Sequence, residues 1–323
     1  MKALIIILLL PLGALAQSGI QLTRFPSLTL SASSRGWGMG NTGIASSTGN
    51  QALSYNVAAA AFTQNFHQAS VHYMPWLPGV SKDTRFVHAD YLASTGKASA
   101  FGLEVSYLDM GTLALRDDYG ATLGLYKTSE YHIGTSYALQ LGSGAALGAT
   151  MRFFGNSMPA GILPNTYSVS GDIGYYQSCN LSDASKVLSW GAVVSNLGGN
   201  PYLPTTAGIG LAYCQHSENN DQFLVALDAS RLLKDDWKGV RASIGAEYGF
   251  DESFFLRGGM ALEHRSKGNR KYFSLGAGYK GFVSDQSWGV DIYYLIPFGI
   301  ASGASPFSNA YGLTLFINIG NFQ

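Results

Sequence analysis

Large apolar residues alternate with small or polar residues in one segment of the chain after another. The alternation is clearest over residues 101–107, 273–279, 288–294 and 311–319. A period of two predicts β-strands whose two faces meet different surroundings. One face is aromatic and aliphatic, whereas the other is mostly Gly, Ser and Ala with an occasional carboxylate. This contrast indicates a barrel with lipid outside and a crowded polar lumen inside.

Fourteen segments have the length that a tilted membrane strand needs. They are residues 66–77, 84–94, 97–109, 129–141, 143–156, 163–177, 186–198, 205–216, 220–231, 239–250, 252–265, 270–281, 284–298 and 309–320. The even number predicts an all-β, antiparallel, up-and-down transmembrane barrel over residues 66–323, with both ends of the chain in the periplasm. The extracellular connections would then lie near residues 78–83, 110–128, 157–162, 199–204, 232–238, 266–269 and 299–308.

The N-terminal region does not fit this ladder of strands. Residues 1–16 combine a short basic start, an apolar stretch and a small-residue cleavage site, which predicts a Sec signal peptide and export to the bacterial outer membrane. Residues 17–65 are rich in Gly and Ser. We predict that they form a plug inside the barrel, because Trp37, Met39 and Phe62 favour burial and a fourteen-stranded lumen is wide enough to need filling.

Composition narrows the class of protein. Only 12% of the 323 residues are charged, against roughly 25% in an average soluble domain. So few charges would cover a water-facing surface poorly, which argues against an ordinary soluble enzyme. Lys plus Arg and Asp plus Glu both number 20, so the chain has no basic excess for binding nucleic acid. No run of about 18 apolar residues predicts a membrane helix.

The candidate catalytic and metal-binding motifs are weak. Gly36-x-Gly38-x-Gly40 lacks the spacing of a phosphate loop, and a structural turn explains it better. The six histidines are dispersed, so we expect neither a metal site nor another cofactor. No Gly-x-Ser-x-Gly elbow supports a hydrolase.

Charged residues on the strands are predicted to face the lumen. The acidic ones are Glu104, Asp172, Asp228, Glu247, Glu263 and Asp291, and the basic ones are Arg152, Arg241, Arg257 and Lys280. Their mixed signs favour neutralising pairs that stiffen the lumen or hold the plug, with Arg35 as a plug candidate, over an ion pathway. Cys179 and Cys214 both fall at predicted periplasmic strand ends, and the sequence leaves a disulfide between them open.

Several motifs resemble one family. The opening motif is Ser34-Arg35-Gly36-Trp37-Gly38-Met39-Gly40-Asn41, and later segments are residues 73–77, 195–198, 202–205, 245–248 and 267–278. In this order they are similar to the PorV/PorQ group of FadL-like outer-membrane barrels, which belongs to the type IX secretion system of Bacteroidota, and most similar to its PorV (LptO) branch. One departure is Tyr55-Asn56-Val57-Ala58, where the group commonly has Trp-Asn-Pro-Ala.

The resemblance implies a protein that is not an enzyme. It implies binding of the C-terminal signal domain of secreted cargo, association with the SprA-type translocon barrel, and delivery to the PorU-type sortase. Proline-stiffened aromatic loops at the extracellular rim suit such binding because they lose little entropy on docking. The candidates are Trp76, Leu77, Pro78, Tyr202, Leu203, Pro204, Phe298 and Phe307. The alternative for these residues is an aromatic girdle in contact with outer-membrane lipid.

A second function fits the same fold. A FadL-like channel for the uptake of hydrophobic small molecules would have an apolar lumenal pocket and a lateral opening in the wall. A kinked strand would create that opening, and Gly208 with Gly210, or Gly258 with Gly259, are the candidate kinks.

Overall fold

A computed structural model describes residues 25–79, 81–116, 119, 122–142, 144–158, 164–181, 185–235, 237–264, 270–299, 305 and 307–321. The predicted signal peptide, residues 1–16, lies outside these ranges. Within them, no helix is long or apolar enough to cross a membrane.

Fourteen antiparallel strands form a closed barrel in which each strand pairs with its chain neighbours and β1 pairs with β14. The strands are β1 (Asn65–Pro75), β2 (Arg85–Gly96), β3 (Ser99–Arg116), β4 (Thr122–Gly142), β5 (Ala145–Ser157), β6 (Tyr167–Asn180), β7 (Lys186–Leu197), β8 (Thr206–His216), β9 (Gln222–Leu232), β10 (Val240–Phe250), β11 (Phe254–Glu263), β12 (Tyr272–Val283), β13 (Gln286–Pro297) and β14 (Tyr311–Asn321). The predicted architecture and strand number are confirmed.

The largest difference from the predicted strands is in β3 and β4. The prediction placed residues 110–128 in a connection, but much of this stretch is a paired extension of the two strands. A register shift separates the Asp109 pair from the Thr112 pair, and Gly111 in between has a φ of +77°. The alternation is interrupted at this bulge and then resumes, so a sequence pattern that stops at the bulge misses the extension.

The two faces of the wall follow the predicted alternation. Large apolar side chains such as Ile133, Met151 and Leu275 point outward, and each is more than half exposed. Their neighbours in the strands are small or polar and buried. Exposure of so many apolar side chains would be costly in water, and contact with lipid removes that cost.

Connection length distinguishes the two ends of the barrel. At one end the connections are short, residues 97–98, 143–144, 181–185, 217–221, 251–253 and 284–285. The other end carries the longer connections and the β3–β4 extension. Short turns face the periplasm in this class of barrel, so the long connections are extracellular.

Residues 25–64, here called the plug segment, pack inside the barrel. Helix α1 (Ser34–Gly38) and the 3-10 helices Pro26–Thr29, Gly49–Ser54 and Val57–Phe62 make up its regular structure, and a fourth 3-10 helix, Trp237–Gly239, precedes β10. The small side chains of residues 58–61 are almost fully buried against β2 to β6. Alanines permit this close approach because they carry no side chain beyond Cβ.

Candidate functional site

Helix α1 seats the plug segment against β11 to β14. The Trp37 indole stacks on the ring of Tyr293, with 5.8 Å between centroids, and its Nε1–H donates to the Ser31 carbonyl at 2.8 Å. The Ser34 N–H donates to the Thr314 hydroxyl at 3.0 Å. The motif therefore places its aromatic residue in the lumen with its polar atom satisfied.

Glycines allow the next turn of the plug segment to touch the backbone of the wall. A Cβ on Gly276 would stand 3.0 Å from the Cα of Gly38, and a Cβ on Gly259 would stand 2.2 Å from the nitrogen of Gly40. Gly40 also has a φ of +70°, which side chains disfavour. Met39, between the two plug glycines, is fully buried. Gly36-x-Gly38-x-Gly40 is thus a packing motif.

Four charged residues, here called the plug cluster, tie α1 to the wall. Arg35 donates from Nε and Nη2 to the two carboxylate oxygens of Glu247, both at 2.8 Å. Glu247 also accepts from Arg257 Nε at 2.5 Å, and Arg257 Nη1 reaches Asp291 at 2.6 Å. Burial alone would lower the pKa of Arg35, but the Glu247 carboxylate raises it, so the guanidinium stays charged. Bidentate pairing fixes both the position and the orientation of the helix.

A second group, the wall cluster, joins strands without using the plug segment. Arg152 on β5 donates to Glu104 on β3 and to Asp172 on β6. Asp172 also accepts the Asn196 N–H at 2.8 Å, at a bulge where Asn196 has a φ of 59°. Six of the ten predicted inward charges are therefore gathered into two separate clusters on different sectors of the wall.

Asp228 and Asn56 hold the middle of the plug segment. The Asp228 carboxylate accepts the N–H groups of Gly43 at 2.7 Å and Ile44 at 3.0 Å. The Asn56 amide donates to the carbonyls of Ile44 at 3.1 Å and Tyr175 at 2.9 Å. These bonds satisfy backbone groups that the dry part of the lumen would otherwise leave unpaired.

The sequence contained a clue to Asn56 that the site prediction did not use. Asn56 is one of the two unchanged residues of Tyr55-Asn56-Val57-Ala58, and its side chain caps the following 3-10 helix by accepting the Ala58 N–H at 3.3 Å. Tyr55 donates its hydroxyl to Asn41 at 2.8 Å, and burial raises the pKa of this phenol. The turn forms with Val57 in place of proline because Asn56 supplies the cap.

The predicted rim residues divide into accessible and buried groups. Tyr202 is 42% exposed, whereas Trp76, Leu77, Pro78 and Phe298 are half-buried.

We expected Leu203, Pro204 and Phe307 to present contact surface as well, and this expectation is wrong. Leu203 packs with Phe25 and Phe154, Pro204 is fully buried beside it, and Phe307 stands 6.3 Å from Trp37 between ring centroids. The plug segment reaches the extracellular half of the lumen and covers them.

An exposed apolar surface at the extracellular end was not predicted. Tyr202, Leu233 and Trp237, here called the rim surface, lie on two connections, and Trp237 is 72% exposed. The Leu233 N–H donates to the Thr205 carbonyl at 2.8 Å, and Lys234 donates to the Pro201 carbonyl, so the connections are joined. The sequence offered one clue, because Trp237 lies among charged residues in the predicted extracellular connection 232–238.

A disulfide between Cys179 and Cys214 is ruled out by the arrangement of their strands. Both thiols are free. Strand β7 lies between them, because Cys179 pairs with Leu188 and Cys214 with Val187. Cys214 follows the buried, inward positions of β8, whereas Cys179 is exposed on the outward face of β6. The two sulfur atoms therefore point to opposite sides of the wall.

Two of the lumenal cavities lie on opposite sides of the plug segment, and no described residue lines both of these two. The periplasmic cavity, about 560 Å³, is bordered by Asn65, His216 and Lys280 at the strand ends. The extracellular cavity, about 220 Å³, is bordered by Leu232, Arg241 and other residues near the opposite end. Hydroxyl, amide and charged groups line both, so the lumen is polar on each side of a filled middle.

Comparison with known proteins identifies the family that has this architecture. A family model described as Type IX secretion system protein PorV matches residues 15–232. The chain belongs to the PorV family. Segment 267–278, which contributed to the resemblance, lies beyond the matched range, and residues 267–269 lie outside the described ones. No match is found among curated protein sequences.

Solved structures of FadL-like barrels share the fold of this PorV-family chain. The toluene transporter TodX of Pseudomonas putida has a TM-score of 0.59 at 14% identity, covering 88% of this chain and 95% of its own. The toluene transporter TbuX of Ralstonia pickettii has a TM-score of 0.52 at 11% identity, covering 90% and 98%. A FadL homologue from Pseudomonas aeruginosa has a TM-score of 0.51 at 11% identity, covering 88% and 96%. These structures show that the chain shares their fold.

Proposed function

We propose that this PorV-family barrel carries secreted proteins at the outer surface and is not an enzyme. In this proposal it binds the C-terminal signal domain of cargo, receives cargo from the SprA-type translocon and passes it to the PorU-type sortase. The observation that carries the proposal is a lumen whose middle is filled and bonded to the wall, in a chain whose family functions in secretion. A closed lumen suits a carrier that works on its outer face.

The rim surface is the proposed docking site for cargo. Tyr202, Leu233 and Trp237 expose apolar area on connections that hydrogen bonds hold together. Aromatic side chains on a constrained support lose little conformational entropy when a partner covers them. Two of its three residues are Trp and Tyr, which are enriched in binding hot spots.

The alternative of hydrophobic uptake has less support from the geometry. The glycines proposed as kinks lie in continuous register in β8 and β11. Gly208 and Gly210 make room for Ile44 of the plug segment, and Gly259 makes room for Gly40. The extracellular and periplasmic cavities are both lined by polar groups as well as apolar ones. Every strand of the described wall pairs with both neighbours.

The proposal is tested by recovery of partners from native membranes. A barrel tagged in a surface connection should co-purify with cargo and with the translocon. The double variant Tyr202→Ala with Trp237→Ala should lose cargo while keeping the heat-modifiable migration of a folded barrel. Phe254→Ala is the matched control, because it removes an exposed aromatic ring at the periplasmic end. Recovery of the barrel alone, together with normal secretion in a deletion strain, would contradict the proposal.

A further inference from the structure

The extracellular cavity contains a cationic group that has no hydrogen bond or ion pair within the described part of the chain. Arg241, on β10, is half-buried and lines the cavity from the wall. Among the described residues its guanidinium takes part in no ion pair or hydrogen bond. A guanidinium withdrawn from bulk water and left unpaired is costly, whereas a carboxylate placed opposite it would form two parallel hydrogen bonds.

Among the described residues, the other charged groups around the cavity form no ion pair with Arg241, although Glu263 is its cross-strand neighbour. Arg270 is engaged by Glu263, with its Nε at 2.7 Å and its Nη2 at 2.5 Å from the two carboxylate oxygens. One oxygen of Asp228 accepts two N–H groups of the plug segment, and the other is buried without contact to solvent or to a donor. Asp235 also lines the cavity and has a partner of its own.

The shape of the cavity limits what can enter. Its volume of about 220 Å³ holds a short side chain or a few waters, since each water occupies about 30 Å³. The paired strands β8 to β12 close its sides, so lipid around the barrel has no lateral entry. Leu232 and Arg270 border it at the extracellular end, and Leu232 is next in sequence to Leu233 of the rim surface. A polypeptide resting on the rim surface is thus placed above the cavity mouth.

We infer that the extracellular cavity is a binding site for a carboxylate of a bound polypeptide, with Arg241 as its main contact. The carboxylate belongs to an acidic side chain or to a chain terminus. Asn41, Ser243 and Tyr55 also line the cavity, and the Ser243 hydroxyl makes no hydrogen bond with the described residues, so it can bond to the same segment. This inference rests on the proposed function, because it assigns the chemistry of one contact within the cargo site.

Peptide binding to the purified barrel in detergent tests the site directly. We expect acetyl-Gly-Glu-Gly-amide to bind about tenfold more tightly than acetyl-Gly-Gln-Gly-amide in ligand-observed NMR, which corresponds to about 1.4 kcal/mol. The peptide acetyl-Gly-Gly-Gly with a free C-terminal carboxylate has no acidic side chain. Its affinity therefore shows whether the site binds a chain terminus. Equal affinity for the acidic and neutral peptides, or displacement of the acidic peptide by lipopolysaccharide at lower concentration, would overturn the inference.

Variants assign the effect to Arg241. Arg241→Gln should abolish the preference for the acidic peptide, and Arg241→Lys should retain part of it because the charge remains. Arg85→Gln is the matched control, because it removes an exposed extracellular arginine outside the cavity. An acidic preference that survives Arg241→Gln would overturn the inference. If that variant does not fold, the comparison of acidic and neutral peptides on the unaltered barrel still tests whether the cavity prefers a carboxylate.

Cargo capture separates this inference from the proposed function. A barrel that binds the acidic peptide through Arg241 but captures no secreted protein would end the proposed function and leave the carboxylate site standing. Equal cargo capture by the unaltered barrel and by Arg241→Gln would end the inference and leave the proposed function standing.

Discussion

The plug cluster and the wall cluster use the same side chains for different purposes. In the wall cluster one guanidinium, Arg152, lies between two carboxylates, and every member belongs to the barrel. In the plug cluster two guanidiniums share Glu247, and Arg35 comes from the plug segment. The wall cluster therefore depends on a single cation, whereas the plug cluster retains Arg257 when the plug segment leaves.

This difference separates the stability of the barrel from the seating of the plug segment. A buried carboxylate that loses its cation costs several kcal/mol, but one that keeps a second cation costs much less. Loss of Arg152 should thus weaken the whole wall, and loss of Arg35 should mainly release α1. The barrel wall can therefore be perturbed through the wall cluster, and the plug segment can be perturbed separately through the plug cluster.

The largest effect is expected from Arg152→Gln. The change leaves Glu104 and Asp172 buried with no guanidinium, and we expect a loss of about 3–5 kcal/mol in the free energy of unfolding. Urea-dependent unfolding in lipid vesicles measures it. Arg85→Gln removes an exposed pair with Asp109 and should leave the unfolding curve unchanged. Equal curves for the two variants would contradict the importance of the wall cluster.

A smaller effect on unfolding is expected from Arg35→Gln. Glu247 keeps Arg257, so the loss should be about 1–3 kcal/mol, the range for hydrogen bonds to charged groups. The plug segment should, however, become accessible. Limited proteolysis should cleave within residues 25–64, and planar bilayers should show new conductance. A plug segment as protected as before would show that the glycine and Asp228 contacts suffice without Arg35.

Two adjacent glycines test the packing of the plug segment. A Cβ on Gly259 would meet the backbone of Met39 and Gly40 at 2.2 Å, whereas the nearest atom to a Cβ on Gly258 is 4.0 Å away. We expect Gly259→Ala to cost about 1–3 kcal/mol through overpacking and to expose the plug segment to protease. Gly258→Ala should stay within about 0.5 kcal/mol of the unaltered protein. A reversed order would contradict the assigned inward and outward faces.

The smallest effect is expected from reductant. Because both cysteines are free on opposite faces of the wall, electrophoretic migration of the folded barrel should be the same with and without reductant. Maleimide should label the exposed Cys179 faster than Cys214. A mass loss of two hydrogens in the intact chain would instead indicate a disulfide.

Much of the fold follows from alternation alone. The period of two gave strand positions close to those observed, because lipid and lumen impose opposite demands on successive residues. The same rule placed Glu104, Glu247 and Asp291 on the inward face. It failed at Gly111, where a bulge interrupts the period before pairing resumes.

The parts of the site that the sequence missed depend on contacts between distant residues. Leu203 and Phe307 looked like exposed loop residues, but the plug segment covers them. Gly259 looked like a kink, but it gives space to Gly40. Nothing local at these positions distinguishes exposure from burial, because the covering residues of the plug segment lie about 180 to 270 positions away in the chain.

The sequence by itself determined the barrel, its fourteen strands and which side chains face inward, since each of these depends on the local alternation of residue types. Only the tertiary structure decided which charges meet, which glycines face the plug segment, and that Arg241 has no ion pair with any residue that the structure describes. Those outcomes depend on the stagger of the strands around the barrel and on the path of residues 25–64 through it. No single segment of the sequence determines either of them.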